Sequence, residues 1–448
     1  MSDSIFDQLF SLQGQSVELG LWQVTRLLDR LDHPERDWPA VHVAGTNGKG
    51  SVCAMLAAML SRAGWRTGLL TSPHLVHFSE RIRVNGTPIR EDEAAPILSR
   101  LAAAGGDPGA AASPRGDYGA LAGSFFEVTT ALAFEHFRHE GVEVAVLETG
   151  LGGRLDATNV CFPTVTAITS IDLDHVKTLG PDLPSIAGEK AGIIKPSVPV
   201  VVGEMAAEAS QVIEAVATAR GAPIRRAGEE VRVRVLSSSW EGLELAVRVG
   251  GHRERYARLP LPGRHQIRNL RVAVAAAHAF DPRPEALDDL LAGLEDTHWP
   301  GRLQRVEGSP VRVYDVAHNE AGAEALSDAL DELGVPEGSV LVIGVLGDKD
   351  LGGMAKRLAR HFRRAVTATP PHPVRARPAA ETAEALRAAG IEASAVETVA
   401  EACDVAAGML AGPGTVFVTG SLFTVGAAMR AFGDRVDAPK PRAGSRVE

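Results

Sequence analysis

Cysteine is nearly absent. Among 448 residues it occurs only as Cys53, Cys161 and Cys403, far apart in the chain. Three scattered thiols build no disulfide framework and lack the paired spacing of a zinc site, so the chain reads as a cytoplasmic protein with reduced thiols. No apolar run reaches the ~20 residues that a membrane span needs. The opening MSDSIFDQLF has neither the basic start nor the apolar stretch of a secretory signal. Positive charge is short as well: 46 Lys and Arg stand against 56 Asp and Glu, for a net charge of −10. That balance argues against a chain-wide surface for nucleic acid or an anionic membrane, so any anion site must be a local nest of donors. Lysine is scarce, found only at Lys49, Lys177, Lys190, Lys195, Lys349, Lys356 and Lys440.

Apolar residues make up 45% and charged residues 23%, an ordinary globular balance, and the length suits two unequal domains. Residues 1–40 read as helical. VHVAG at 41–45 reads as a strand that enters a glycine-rich turn and then a helix, SVCAMLAAMLSRAG. Further strands are expected at 65–73, 142–150, 164–171 and 198–203, with a helix over 124–139. This alternation predicts a parallel α/β sheet. Residues 104–123 are biased to Gly, Ala and Pro and read as a surface loop. Residues 229–263 alternate apolar and polar positions and predict antiparallel hairpins appended to the sheet. After a helix at 266–281, HWPGR at 298–302 reads as a linker to a second, smaller α/β domain.

The strongest local signal is Gly45-Thr46-Asn47-Gly48-Lys49-Gly50-Ser51, between a strand and a helix. The strict P-loop pattern fails, because Val43 stands where its first glycine belongs. The physics survives. Three glycines let consecutive N–H groups curl round a phosphate, and the helix N-terminus adds positive potential. Lys49 can reach the β- and γ-phosphates, and Ser51 can offer its hydroxyl to Mg²⁺. A bare glycine turn needs no ligand, but the Lys/Ser pair and the strand–helix context favour one. Glu148 ends an apolar strand, where a carboxylate overhangs the ligand crevice of a parallel sheet; a solvated strand end is the plain alternative. His175, Lys190 and Lys195 read individually as ordinary structural or surface residues.

GTNGKGS, TSPHL with ERI, LETGLGGRLDATN, LDHVKTLG, AGEKAGIIK, LPGRHQIRN, WPGRLQ, DVAHNEAG, GVLGDKD and GSLF occur in this order across nearly the whole chain. Together they resemble the folylpolyglutamate synthase/dihydrofolate synthase family of the Mur-ligase superfamily. The resemblance implies an α/β fold. An N-terminal P-loop NTPase-like parallel sheet carries an appended small antiparallel sheet, a C-terminal Rossmann-like α/β domain comes after it, and ATP lies between them. The expected domains are residues 1–297 and 298–434, with 435–448 a disordered tail.

The resemblance implies ATP contacts from Gly45 through Ser51 and from Asn269, Arg302, Asp315 and His318. It implies two Mg²⁺ sites, with room for a monovalent cation. Ser72 and Glu148 serve one ion, to which the loop's Ser51 can add its hydroxyl; Glu148, His175 and Lys190, carbamylated in the family, serve the other. A carbamate turns a cation into an oxygen ligand, which hard metal ions prefer. Lys49, Glu148, His175 and Lys190 are the catalytic candidates. Phe126, Asp156 and Asn159 would meet the pterin or folate. Thr149, Asp172 and Glu320 depart from the residues usual in the family.

The implied reaction is ATP-dependent amide formation. An acceptor carboxylate attacks the γ-phosphate to give an acyl phosphate and ADP, and the amine of L-glutamate then expels phosphate. Dihydropteroate and (tetrahydro)folates are the expected acceptors of a bifunctional enzyme. Its partners are expected to be small molecules only, and its state a monomer. The alternatives are a monofunctional folylpolyglutamate synthase, another Mur-type amide ligase, a P-loop small-molecule kinase and a non-catalytic nucleotide switch. A cell-wall Mur enzyme would need a further domain before the loop, and 44 residues are too few for it.

Overall fold

The structure is a computed structural model and describes residues 5–13, 20–103, 121–372, 374–410 and 414–436. By internal contacts the chain divides into two units. One comprises residues 1–72, 79–231 and 269–293; the other comprises 73–78, 232–268 and 294–448.

The first unit is built on one sheet. Its strands are β1 (Ala40–Ala44), β2 (Thr67–Leu70), β3 (Ile82–Val84), β4 (Thr87–Pro88), β5 (Val144–Glu148), β6 (Val165–Ile168), β7 (Val200–Val202) and β8 (Ile224–Arg226), in the order 4-3-2-5-1-6-7-8. β2, β5, β1, β6, β7 and β8 are parallel, while β3 and β4 turn back antiparallel. Every residue of β1 and β5 is buried. A strand covered on both faces is mostly apolar, which is why AVHVA and VAVLE lack the alternation of a half-exposed strand and carry only His42 and Glu148 as polar residues. The register sets Val43 beside Glu148 and Ala44 beside Ile168. β1, β5 and β6 therefore end at one edge, and the segments starting at Gly45, Thr149 and Thr169 leave from the same place.

Each strand read from the sequence in this unit is present, β1 shifted by one residue and the others trimmed at their ends. The helical reading of residues 1–40 resolves into Ile5–Ser11, Trp22–Asp29 and a 3₁₀ turn at Pro34–Arg36. Asp32 and His33 adopt left-handed φ values of 56° and 57°, which stop the second helix ahead of Pro34. The helix Phe125–His139 begins at a capping box: Ser124 Oγ accepts the Glu127 N–H, and the Glu127 carboxylate accepts the Ser124 N–H. Most of the loop read at 104–123 (104–120) and of the tail read at 435–448 (437–448) lies outside the described residues.

β9 (Val231–Ser239), β10 (Gly242–Val249) and β11 (Arg255–Leu259) form a separate three-stranded sheet in the order 11-10-9. Residues 232–268 group with the second unit, whereas the sequence boundary at 297 kept to chain order. The anchor is Trp240, in the turn before β10. Its ring packs on that unit's core, 6.2 Å from Phe417. The second unit's main sheet holds β12 (Gln304–Val306), β13 (Val311–Tyr314), β14 (Val340–Ile343), β15 (Arg364–Thr367), β16 (Glu392–Ala395) and β17 (Thr415–Thr419), ordered 12-13-17-14-15-16. Only β12 is antiparallel to its neighbour. Two buried apolar clusters cover this sheet, one around Leu326, Met354 and Phe362 and one around Tyr314, Val399 and Met429.

Candidate active site

β1 delivers the glycine loop to the N-terminus of the helix Lys49–Arg62. Two glycines are obligatory there. Gly45 has φ +153°, and a Cβ would lie 1.8 Å from Thr169 Oγ1; Gly48 has φ +82°, and a Cβ would lie 2.1 Å from Asn269 Oδ1. Asn269 therefore sits directly against the loop. Ser51 is buried in the first turn of the helix.

Two lysines converge on one oxygen. Lys49 Nζ donates to the Gly45 carbonyl at 3.1 Å and to the Thr46 carbonyl at 3.2 Å, and Lys190 Nζ donates to the same Gly45 carbonyl at 2.7 Å. Lys190 is 4% exposed. Burial, and then the charge of Lys49, push its amine down to about 7, against the pull of Asp174, Asp156 and Asp172. The neutral amine is thus well populated near neutral pH.

Glu148 ends β5 almost fully buried, and its Oε2 accepts the Ser72 N–H at 3.0 Å. Arg81 is buried too, with its guanidinium 5.0 Å over the Phe125 ring. Burial lowers its pKa to about 10, while Glu148 and Glu80 hold it charged. His175 adopts a left-handed φ of 50°, and its N–H donates to Asp174 Oδ1 at 2.8 Å. Among the described residues no three His, Cys, Asp or Glu side chains form a metal cage. The hydroxyls of Ser51 and Ser72, the Glu148 carboxylate and the His175 imidazole are donors of the kind that suit a hard divalent ion that keeps part of its shell on phosphate and water.

The remaining residues named from the sequence fall in two places. Asp156 Oδ2 accepts the Leu151 N–H at 2.8 Å, and Oδ1 accepts from Thr158 N at 3.0 Å and Thr158 Oγ1 at 2.5 Å. Burial raises its pKa. Asn159 Nδ2 donates to the Arg154 and Gly192 carbonyls, while its Oδ1 is buried with no hydrogen-bond partner. The Phe126 ring lies against Gly150, where a Cβ would come within 2.8 Å of it. All three shape the segment just beyond Glu148. In the second unit, Asp315 Oδ2 accepts the Leu303 N–H at 3.0 Å and Oδ1 accepts the Ala317 N–H at 2.9 Å. It thereby holds Leu303 at a φ of +47° in the turn carrying Arg302. Burial raises the Asp315 pKa and Arg302 opposes the rise. His318 Nδ1 lies 3.0 Å from the Val316 carbonyl.

Residue-by-residue reading missed Arg81 and the run Thr169-Ser170-Ile171-Asp172, which lines the loop. The second had a signal: it comes directly after β6, the neighbour of β1, at the edge where parallel sheets gather ligands.

Glycine loop, buried carboxylate and a second Rossmann-like unit define a ligase of the Mur type. Residues 121–277 match the Mur ligase middle domain, and residues 301–422 match the Mur ligase glutamate ligase domain. The dihydrofolate synthase/folylpolyglutamate synthase of Mycobacterium tuberculosis is 37% identical over 453 aligned residues, covering 93% of this chain and 91% of the relative. A structure of M. tuberculosis folylpolyglutamate synthase complexed with ADP superposes with a TM-score of 0.84 at 33% identity, covering 96% of this chain and 100% of that one. Escherichia coli FolC in complex with DHPP and ADP gives 0.81 at 33% identity, with 96% and 98% covered. A bifunctional folylpolyglutamate synthase/dihydrofolate synthase with Mn, AMPPNP and L-glutamate bound gives 0.79 at 32%, with 96% and 98% covered. The chain belongs to the folylpolyglutamate synthase/dihydrofolate synthase family, and is an ATP-dependent, amide-forming ligase.

Proposed function

We propose that this ligase is bifunctional, adding L-glutamate both to dihydropteroate and to (tetrahydro)folates and releasing ADP and phosphate. The observation that carries the nucleotide half of the reading is the convergence of Lys49 and Lys190 on the Gly45 carbonyl at the end of β1. The Lys49 ammonium stands where a triphosphate would be cradled, with the Lys190 nitrogen beside it. The bound ligands of the relatives and the match to a glutamate ligase domain support the rest.

An amine and a carboxylate at neutral pH form a salt, so the acid needs activation. An oxygen of the acceptor carboxylate attacks the γ-phosphorus and the bond to the β-phosphate oxygen breaks, giving an acyl phosphate and ADP. The neutral amine of glutamate attacks the acyl carbon, phosphate departs, and the amine proton passes to solvent or phosphate. Lys49 would leave its loop carbonyls for the phosphate oxygens and offset charge as it develops. Gly45, Thr46, Asn47, Gly48, Gly50, Ser51 and Asn269 are proposed as ATP contacts, joined by Arg302, Asp315 and His318 of the second unit. Phe126, Asp156 and Asn159 are proposed for the pterin. Divalent metal, held by Ser51, Ser72, Glu148, His175 and Lys190 as its carbamate, would neutralise phosphate charge. Two such sites are proposed. The lowered pKa of Lys190 supports carbamate formation.

The test is a panel of ATP, Mg²⁺ and L-glutamate with dihydropteroate, then with tetrahydrofolate, measuring ADP and product mass. Glutamate adducts of both acceptors are expected. An adduct of tetrahydrofolate alone would make the enzyme monofunctional. A phosphorylated acceptor with no amide would make it a kinase.

A further inference from the structure

One short segment outside the glycine loop hydrogen-bonds to it repeatedly. β6 ends at Ile168, and Thr169 to Asp172 run on alongside the loop. Thr169 Oγ1 donates to the Asn47 carbonyl at 2.7 Å, and the Thr46 N–H donates to the Ser170 carbonyl at 2.7 Å. Asp172 closes the arrangement twice. Its N–H donates to Thr46 Oγ1 at 3.1 Å, and that hydroxyl lies 3.2 Å from the Asp172 carbonyl. Its carboxylate oxygen Oδ2 accepts from Asn47 Nδ2 and from Ser170 Oγ, each at 3.0 Å. Ser170 Oγ in turn accepts the Asn47 N–H at 3.4 Å. One carboxylate thus restrains the Asn47 side chain directly and its backbone through a hydroxyl.

A carboxylate is an unfavourable neighbour for phosphate. Coulomb repulsion alone would favour its removal. Its contribution must then be geometric. Donors that already point at the ligand bind it better than donors that must be ordered at binding. We propose that Asp172 is a positioning residue for the nucleotide, fixing Asn47 so that the loop keeps its cradle shape before phosphate arrives. Asp172 itself touches no reacting atom. The inference rests on the nucleotide reading of this loop.

The test is calorimetric titration of the full chain with ADP and Mg²⁺, together with KM for ATP and kcat. Wild type comes first: if it binds no ADP, the nucleotide reading of the loop fails and the role of Asp172 falls with it. Given wild-type binding, Asp172→Ala is expected to raise both the dissociation constant and KM about tenfold while kcat changes less than about threefold. Loss of folded protein would instead lower the number of binding sites at unchanged affinity. Asp172→Asn keeps an acceptor oxygen without the charge and is expected within about threefold of wild type. Asn47→Ala and the double variant Asn47→Ala/Asp172→Ala are expected to be about equally weak, because both lose the same restraint. Wild-type affinity in Asp172→Ala would overturn the proposal. So would equal losses in the Ala and Asn variants, or a double variant as weak as the two single losses combined. Asp172→Ser takes the place of the alanine variant if that one does not fold.

Discussion

Lys49 has two employments, and only one is visible in the resting protein. Its ammonium satisfies two loop carbonyls, and the same group is proposed to meet phosphate. Lys49→Ala should therefore cost far more in catalysis than in stability. We expect a fall in kcat/KM of at least about a hundredfold, or ~2.7 kcal/mol, with a melting temperature within a few degrees of wild type. Coupled ADP release and calorimetry read the two quantities, and near wild-type turnover would remove the role. Lys190→Ala should lose activity that short carboxylic acids restore in part, because such acids replace the carbamate oxygens; full activity without them would exclude the carbamate.

His42 makes a different prediction. It is fully buried in β1, and burial first, then Lys195, pushes its pKa down to about 3 from 6.5. Its Nε2 lies 2.8 Å from Thr158 Oγ1, which donates to Asp156, so Nε2 carries the proton and the buried Nδ1 has no partner. As pH falls below 6.5 the unfolded chain takes up a proton that the native ring refuses until about pH 3. Stability is therefore lost with acid across that window, at up to ~1.4 kcal/mol per pH unit. Denaturation midpoints at several pH values should show a shallower acid slope in His42→Gln than in wild type, whatever the variant's stability at pH 7. Identical slopes would show that His42 is not the titrating group.

Among the elements, the helix Phe125–His139 states its own start. Ser124 and Glu127 occupy the two ends of a capping box, and both bonds are formed. Ser124→Ala should destabilise by about 1 kcal/mol and Ser124→Gly by only a few tenths, since glycine lets water reach the free N–H groups. Equal losses in urea unfolding would mean that the cap bond is not what the serine supplies. Strand assignments were legible for a related reason: runs such as VAVLE and VHVA are local, and burial on both faces leaves them mostly apolar, with no alternation of polar positions. The split of residues 1–40 was less legible, because the left-handed pair Asp32 and His33 carries no glycine to announce it.

At the scale of the whole molecule, the antiparallel sheet groups with the second unit through Trp240 and Phe417. Trp240→Ala should destabilise the protein by about 2 kcal/mol, less than a fully buried tryptophan would, because the ring is only half-buried. Its urea midpoint is the measurement, and an unchanged midpoint would show that the hairpin is anchored elsewhere. The chain's net charge of −10 leaves any anion site to depend on local donors such as Lys49 and the loop N–H groups, and not on the surface as a whole.

Taken alone, the string of residues determined the glycine loop, the alternation of strands and helices, and the carboxylate at the end of β5. These depend on neighbours a few positions apart, and local sterics and periodicity decide them. Tertiary structure alone decided that Lys190 shares a carbonyl with Lys49, that Asp172 braces Asn47, and that Asp315 bends the turn at Leu303. Lys190 lies 145 positions from Gly45, and Asp172 lies 125 from Asn47. Only the order and register of the strands bring such residues within hydrogen-bonding distance.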